Sequence, residues 1–98
     1  MTAYWIAHVT VTDPIAYRGY QERAAAVFRD HGAEFLARGG ASETLEGTGF
    51  ERHVVIRFPS LAAARACYYS SGYAEARRHR DGAAVVQVVL VEGVPEGR

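Results

Sequence analysis

One segment limits what this chain can fold into more than any other. From Ala84 to Glu92 it reads Ala-Val-Val-Gln-Val-Val-Leu-Val-Glu, polar only at Gln87 and at the end. β-Branched residues at most positions favour a strand. Val85, Val89 and Val91 then face one side of a sheet, and Val86, Val88 and Leu90 face the other. A strand apolar on both sides needs a cover on both sides.

The rest of the chain supplies the first cover. Tyr4 to Thr12 is β-branched and aromatic and predicts a strand. Asp13-Pro14 opens a helix, with Asp13 as N-cap and Pro14 at the first helical position. From Ile15 to His31, Tyr17, Tyr20, Ala24, Val27 or Phe28, and His31 form one stripe, and Gly32 ends the helix. Ala33 to Arg38 reads as a second strand. Gly39-Gly40 interrupts it and extended character resumes from Ser42 to Glu46, as in a kinked or bulged strand or a hairpin. Gly47-Thr48-Gly49 marks a turn, and His53 to Phe58 a third strand. Ser60 caps a helix to about Tyr69, Ser70-Ser71-Gly72 breaks it, and a short helix runs from Tyr73 to Arg80. Asp81-Gly82 turns into the last strand, and Gly93 to Arg98 reads as a frayed tail. The order β-α-β-β-α-β, with short right-handed connections, predicts an α+β, ferredoxin-like fold: a four-stranded antiparallel sheet with the helices on one face. Residues 1–98 form one domain, with its core over about 3–93.

The other face stays apolar. Trp5, Ala7, Val9 and Val11 oppose Tyr4, Ile6, His8 and Thr10 in the first strand; Val54, Ile56 and Phe58 oppose His53, Val55 and Arg57 in the third. The face away from the helices keeps Ile6, Val55, and Val86, Val88 and Leu90 or their opposite-parity equivalents. Burying one such side chain is worth about 1.5–3 kcal/mol, and a contiguous patch marks an interaction surface. A two-fold partner presenting the same face, hence a homodimer through the sheet, is the expected cover.

Composition excludes more than it selects. At 98 residues there is room for one core and no separate cofactor domain. Zero formal net charge argues against a nucleic-acid partner. No apolar run approaches the ~20 residues of a membrane span, and the start lacks a signal-peptide pattern, so no membrane association and a cytoplasmic location are expected. Cys67 is the only cysteine, which excludes an intrachain disulfide and a multi-cysteine zinc site. All 11 basic residues are arginine. Without lysine there is no Schiff-base or phosphate-loop chemistry, and without asparagine no Cys-His-Asn triad. Heavy alanine and arginine use suits a GC-rich bacterial genome.

Several segments together resemble one bacterial family. They are Tyr4-Trp5-Ile6-Ala7-His8-Val9, Asp13-Pro14 with Tyr17 and Tyr20, Phe35 to Gly40, Leu45-Glu46-Gly47, Val54 to Ser60, and Ala64-Arg65-Ala66 through Tyr69, Ser71 and Tyr73. Over about Tyr4 to Gly93 the chain is similar to the "domain of unknown function thirteen-thirty" family of the dimeric α/β-barrel superfamily. That wider group includes cofactor-free monooxygenases, muconolactone isomerases, haem-degrading enzymes, dye-decolourising peroxidases and ligand domains of regulators. The resemblance implies a pocket between sheet and helices in each subunit. Two positions depart from the family pattern: Tyr68 stands where tryptophan is common, and Arg57 where an acidic residue is common. An Arg57 that lined the pocket would alter its charge preference.

The candidate residues each have a plainer role beside the chemical one. His8, His31, His53 and His79 include no i,i+3 or i,i+4 pair, so no metal is expected. His31 and His79 suit helix ends. His8 and His53 share a sheet face if the strands pair in register, as proton shuttles or as polar filler in an interface. Arg77-Arg78-His79-Arg80 reads as a solvated helix end, with anion binding the sharper alternative. Arg38 precedes two glycines that permit close approach of a ligand, and Tyr69 and Tyr73 flank the helix break, in the core or over a pocket. Cys67 reads as a small core hydrophobe. The expectation is a small-molecule ligand and an enzyme without cofactor, of oxygenase, isomerase or cyclase type, acting on an aromatic or enolisable substrate. His8, Arg38, Tyr69 and Tyr73 would position and polarise it. The alternative is a non-catalytic ligand-binding or accessory protein.

Overall fold

A computed structural model describes residues 1–95. Its elements are β1 (Ala3–Val11), α1 (Pro14–Asp30), β2 (Glu34–Arg38), β3 (Arg52–Phe58), α2 (Leu61–Tyr68), α3 (Ser71–Arg78) and β4 (Ala84–Glu92). The sheet is antiparallel in the order β2-β3-β1-β4. This is the ferredoxin-like arrangement the element order predicts. No helix among the described residues is long and apolar enough to cross a membrane.

The caps act where the sequence puts them. Asp13 accepts a hydrogen bond from the Ala16 N–H at 3.2 Å, and Ser60 accepts from Ala63 at 3.0 Å. The expected break between two helices is present, α2 ending at Tyr68, but the second helix starts two residues earlier than expected: the Ser70 hydroxyl accepts from the Tyr73 N–H at 3.1 Å, and Ser71 and Gly72 form the first turn of α3. Ser42 to Glu46 also departs, because residues 39–51 contain neither helix nor strand. This stretch is largely exposed and joins neither open edge of the sheet, β2 or β4. The bulge lies earlier, between Phe35 and Ala37. At the C-terminus the Gly93 N–H donates to the Thr2 carbonyl at 2.7 Å, and the last residues of the expected frayed tail, Glu96 to Arg98, lie outside the described residues.

Register decides which side chains share a face. Phe35, Ile56, Trp5 and Leu90 form one row across the sheet toward the helices. Tyr17, Tyr20, Ala24 and Phe28 of α1 close over this side, and Trp5 meets the edges of Phe28 and Tyr73, each at 5.0 Å between centroids. Val86, Val88 and Leu90 therefore belong to the helix-covered face. The outer face takes the opposite parity: Val55, Ile6 and Val89 in one row, His53, His8 and Gln87 in the next. Val85, Val89 and Val91 stand exposed there. Cys67 of α2 is fully buried, and burial pushes its thiol up to about 11.

Candidate functional site

Between α1 and the inner face of the sheet lies a cavity of about 40 Å³, room for a few waters. Trp5, Val9, Val54 and Ile56 form its sheet side, and Tyr17, Tyr20, Ala24 and Phe28 its helix side. Arg38, Arg52, Arg80 and Gln21 supply its polar groups. Among the described residues, no aspartate, glutamate or histidine lines it.

The buried polar chain at this cavity comes from two helices. Tyr20 of α1 and Tyr73 of α3 bring their hydroxyls to 2.7 Å, and Arg80, just past α3, donates to the Tyr73 oxygen at 3.1 Å. The Arg80 guanidinium also lies 4.7 Å over the Tyr20 ring. Burial raises the Tyr20 phenol well above the ordinary tyrosine range and raises that of Tyr73 as well, so both stay protonated at neutral pH. Burial works against the Arg80 charge, but the Tyr73 and Tyr20 hydroxyls more than offset it. The result is a fixed cation feeding a line of neutral O–H donors inside an apolar wall.

The four expected site residues do not form one cluster. Arg38 lines the cavity, its guanidinium 4.1 Å over the Phe35 ring. Tyr73 reaches the cavity through its bonds to Tyr20 and Arg80. His8 lies on the outer sheet face, where its Nδ1 is 2.8 Å from that of His53 and Phe50 stacks on its ring. The expected His8–His53 juxtaposition is therefore present, on the side away from the cavity. Tyr69 is 76% exposed and borders an adjoining open groove of about 560 Å³ between α2 and β4, which shares Arg80 and Val86 with the cavity. Arg57 does not line the cavity. It pairs with Glu34 on the outer face, so its departure from the family pattern leaves the cavity's charge unaltered.

Arg52 is the contributor the sequence reading missed, and Arg80 was read first as part of a solvated helix end with anion binding as the alternative, although signals existed for both. Arg52 has the parity of Val54, Ile56 and Phe58, which places it on the helix side of β3. Arg80 follows Tyr73 by two helical turns and Ala76 by one, on the buried stripe of α3. The expected solvated end of the basic cluster holds for Arg78, which pairs with exposed Glu75 at 3.1 Å. Arg77 instead donates to the Tyr68 hydroxyl, and Arg80 turns inward.

This sheet, its helices and the cavity between them define a ferredoxin-like α+β protein with an interlayer chamber. The chain belongs to the family described as "Domain of unknown function (DUF1330)", whose model matches residues 2–94. Among solved structures it is similar to a protein of unknown function from Rhodopseudomonas palustris, with TM-score 0.77 and 20% identity over 96% of this chain and 83% of that one. It is also similar to SnoaB, a cofactor-independent oxygenase from Streptomyces nogalater, with TM-score 0.66 and 14% identity over 98% and 96% of the two chains. A dimeric protein of unknown function and ferredoxin-like fold from Bacteroides fragilis matches with TM-score 0.63 and 10% identity over 94% and 96%. No curated protein matches the chain.

Proposed function

We propose that this chain is a cytoplasmic homodimer joined through the outer sheet face, and that the cavity in each subunit receives a small aromatic or enolisable molecule. The cavity acts on that molecule without a resident cofactor, as an oxygenase-, isomerase- or cyclase-type enzyme. The observation that carries this reading is the Arg80–Tyr73–Tyr20 chain against apolar walls. Arg80 donates to Tyr73, and Tyr73 and Tyr20 share one hydrogen bond that either hydroxyl can donate; when Tyr73 donates it, the Tyr20 O–H is left to meet a substrate oxygen that gains negative charge. Each donor is polarised by the one behind it, and fixed donors in a water-poor site stabilise an oxyanion strongly. Arg38 and Tyr73 keep their proposed roles; His8, on the outer face, and exposed Tyr69 do not line the chamber and do not share them. The likeness to a cofactor-independent oxygenase supports the reading.

Binding without turnover is the second reading. One observation favours it: among the described residues, no side-chain carboxylate or imidazole lines the cavity to take a proton from carbon. A substrate would have to be acidic enough to ionise on its own.

Trp5 is the only tryptophan and lines the cavity, so its fluorescence tests both readings. Small phenols and diketones should change it, and oxygen uptake or product mass separates turnover from binding. A library that leaves Trp5 emission unchanged would remove the site. The dimer is supported by the unpartnered outer face, where Val85, Val89 and Val91 are exposed. Val89→Glu should convert a dimer seen by light scattering into a monomer. A wild-type chain that is monomeric at micromolar concentration overturns the assembly.

A further inference from the structure

We infer that the ligand of this cavity is a small carboxylate, its anionic head held by Arg52, Arg38 and Arg80 and its apolar body against Trp5. This rests on the cavity being a ligand site and adds the chemical class of the ligand.

Charge is the first argument. Among the described residues, three arginines meet the cavity and no acidic side chain does. The ion pairs among the described residues are Arg57 with Glu34 and Arg78 with Glu75, both at the surface. Withdrawing a cation from water without a counter-charge is costly. Two half-buried guanidiniums, Arg52 and Arg80, with exposed Arg38 beside the same cavity, are matched by an anion that comes and goes.

Arg52 is the second. Its Nε is buried and lacks a hydrogen-bond partner, alone among the buried side-chain nitrogen and oxygen atoms of the described residues. Its guanidinium occupies space that only glycine leaves open: a Cβ at Gly39 would overlap it. Gly39 has φ +72°, and its N–H donates to the His53 carbonyl at 3.0 Å, so the seat is built by the backbone at the end of β2. An arginine placed this firmly yet left with an idle donor is shaped for an acceptor.

Geometry selects the acceptor. Arg38 lies face-on to Phe35 and Arg80 face-on to Tyr20. A stacked guanidinium keeps its in-plane N–H groups free, and that fork matches a planar carboxylate. The volume of about 40 Å³ admits the head of such a molecule. A ring behind it requires exposed Arg38 and half-buried Gln21 to swing outward.

The test titrates Trp5 fluorescence with two matched pairs, acetate against acetamide and benzoate against benzamide. Each pair shares size and shape and differs in charge. A carboxylate should bind at least tenfold more tightly than its amide. Arg52→Gln and Arg80→Gln should each weaken carboxylate binding about tenfold to a hundredfold, and Arg52→Lys should recover only part of the loss. Arg78→Gln, on the solvated face of α3, should leave it unchanged. Equal binding of acid and amide overturns the carboxylate and leaves the cavity site standing. No response to either pair overturns both. Equal weakening in Arg78→Gln assigns the effect to diffuse surface charge and overturns the three-arginine seat. If Arg80→Gln fails to fold, the Arg52 variants decide the matter.

Discussion

Tyr73 has no exposed surface, touches Trp5, Phe28 and Tyr68 with its ring, and ends in a hydroxyl bonded to Tyr20 and Arg80. Replacing it by phenylalanine keeps the packing and leaves two buried polar groups short of a partner. Tyr73→Phe should therefore destabilise the fold by about 1–3 kcal/mol in urea denaturation. Tyr20→Phe should be partly non-additive with it, because the two hydroxyls share one bond. If Tyr73→Phe matches wild type, the chain of donors does not hold the site together. Local signals, a glycine pair and a helix break, singled out Arg38, which lines the cavity, and Tyr73, which is bonded to residues that do. It did not reach the convergence of Arg80 on Tyr73 and Tyr20. That depends on how α1 and α3 cross, which no local pattern encodes.

Among the elements, β2 and its exit carry the most specific test. Gly39 and Gly47 both have positive φ, +72° and +81°, but only Gly39 abuts another side chain. Alanine at either position bears the left-handed penalty of roughly 1–2 kcal/mol. Gly39→Ala must also expel the Arg52 guanidinium, so it should cost measurably more than Gly47→Ala in the same denaturation experiment. Equal costs would mean that Arg52 moves aside freely. Helix α1 was legible in full because cap, proline, stripe and terminal glycine all agree. The segment from Ser42 to Glu46 was misread because an extended pattern says nothing about whether the segment joins a sheet edge. Strand parity gave both faces of the sheet but not which one the helices cover, and so His8 was placed with Arg38 although β1 turns it away.

At the scale of the whole molecule, stability should be flat through neutral pH and fall in alkali. Tyr20, Tyr73 and Cys67 hold their protons more tightly folded than unfolded, in each case first because of burial. Below the ordinary thiol and phenol values, about 8.5 and 10, both states are protonated and the contribution is complete. Above them the unfolded chain loses protons first, so stability drops by up to about 1.4 kcal/mol per pH unit for each proton retained. Urea midpoints from pH 7 to 11 check this, and Tyr20→Phe should flatten the decline. The double-sided apolar pattern of β4 made a sheet with an uncovered face legible, since alternation fails visibly there; the cavity arginines, spread over three segments, left no such mark. Buried Cys67 has a different use. As the only thiol in the chain, it can meet an aromatic disulfide reagent only when α2 lifts from the sheet. Its modification rate, relative to that of the unfolded chain, therefore measures how often that helix opens under native conditions. The fold carries its own clock for local breathing, with no label to introduce and no second thiol to confuse the reading.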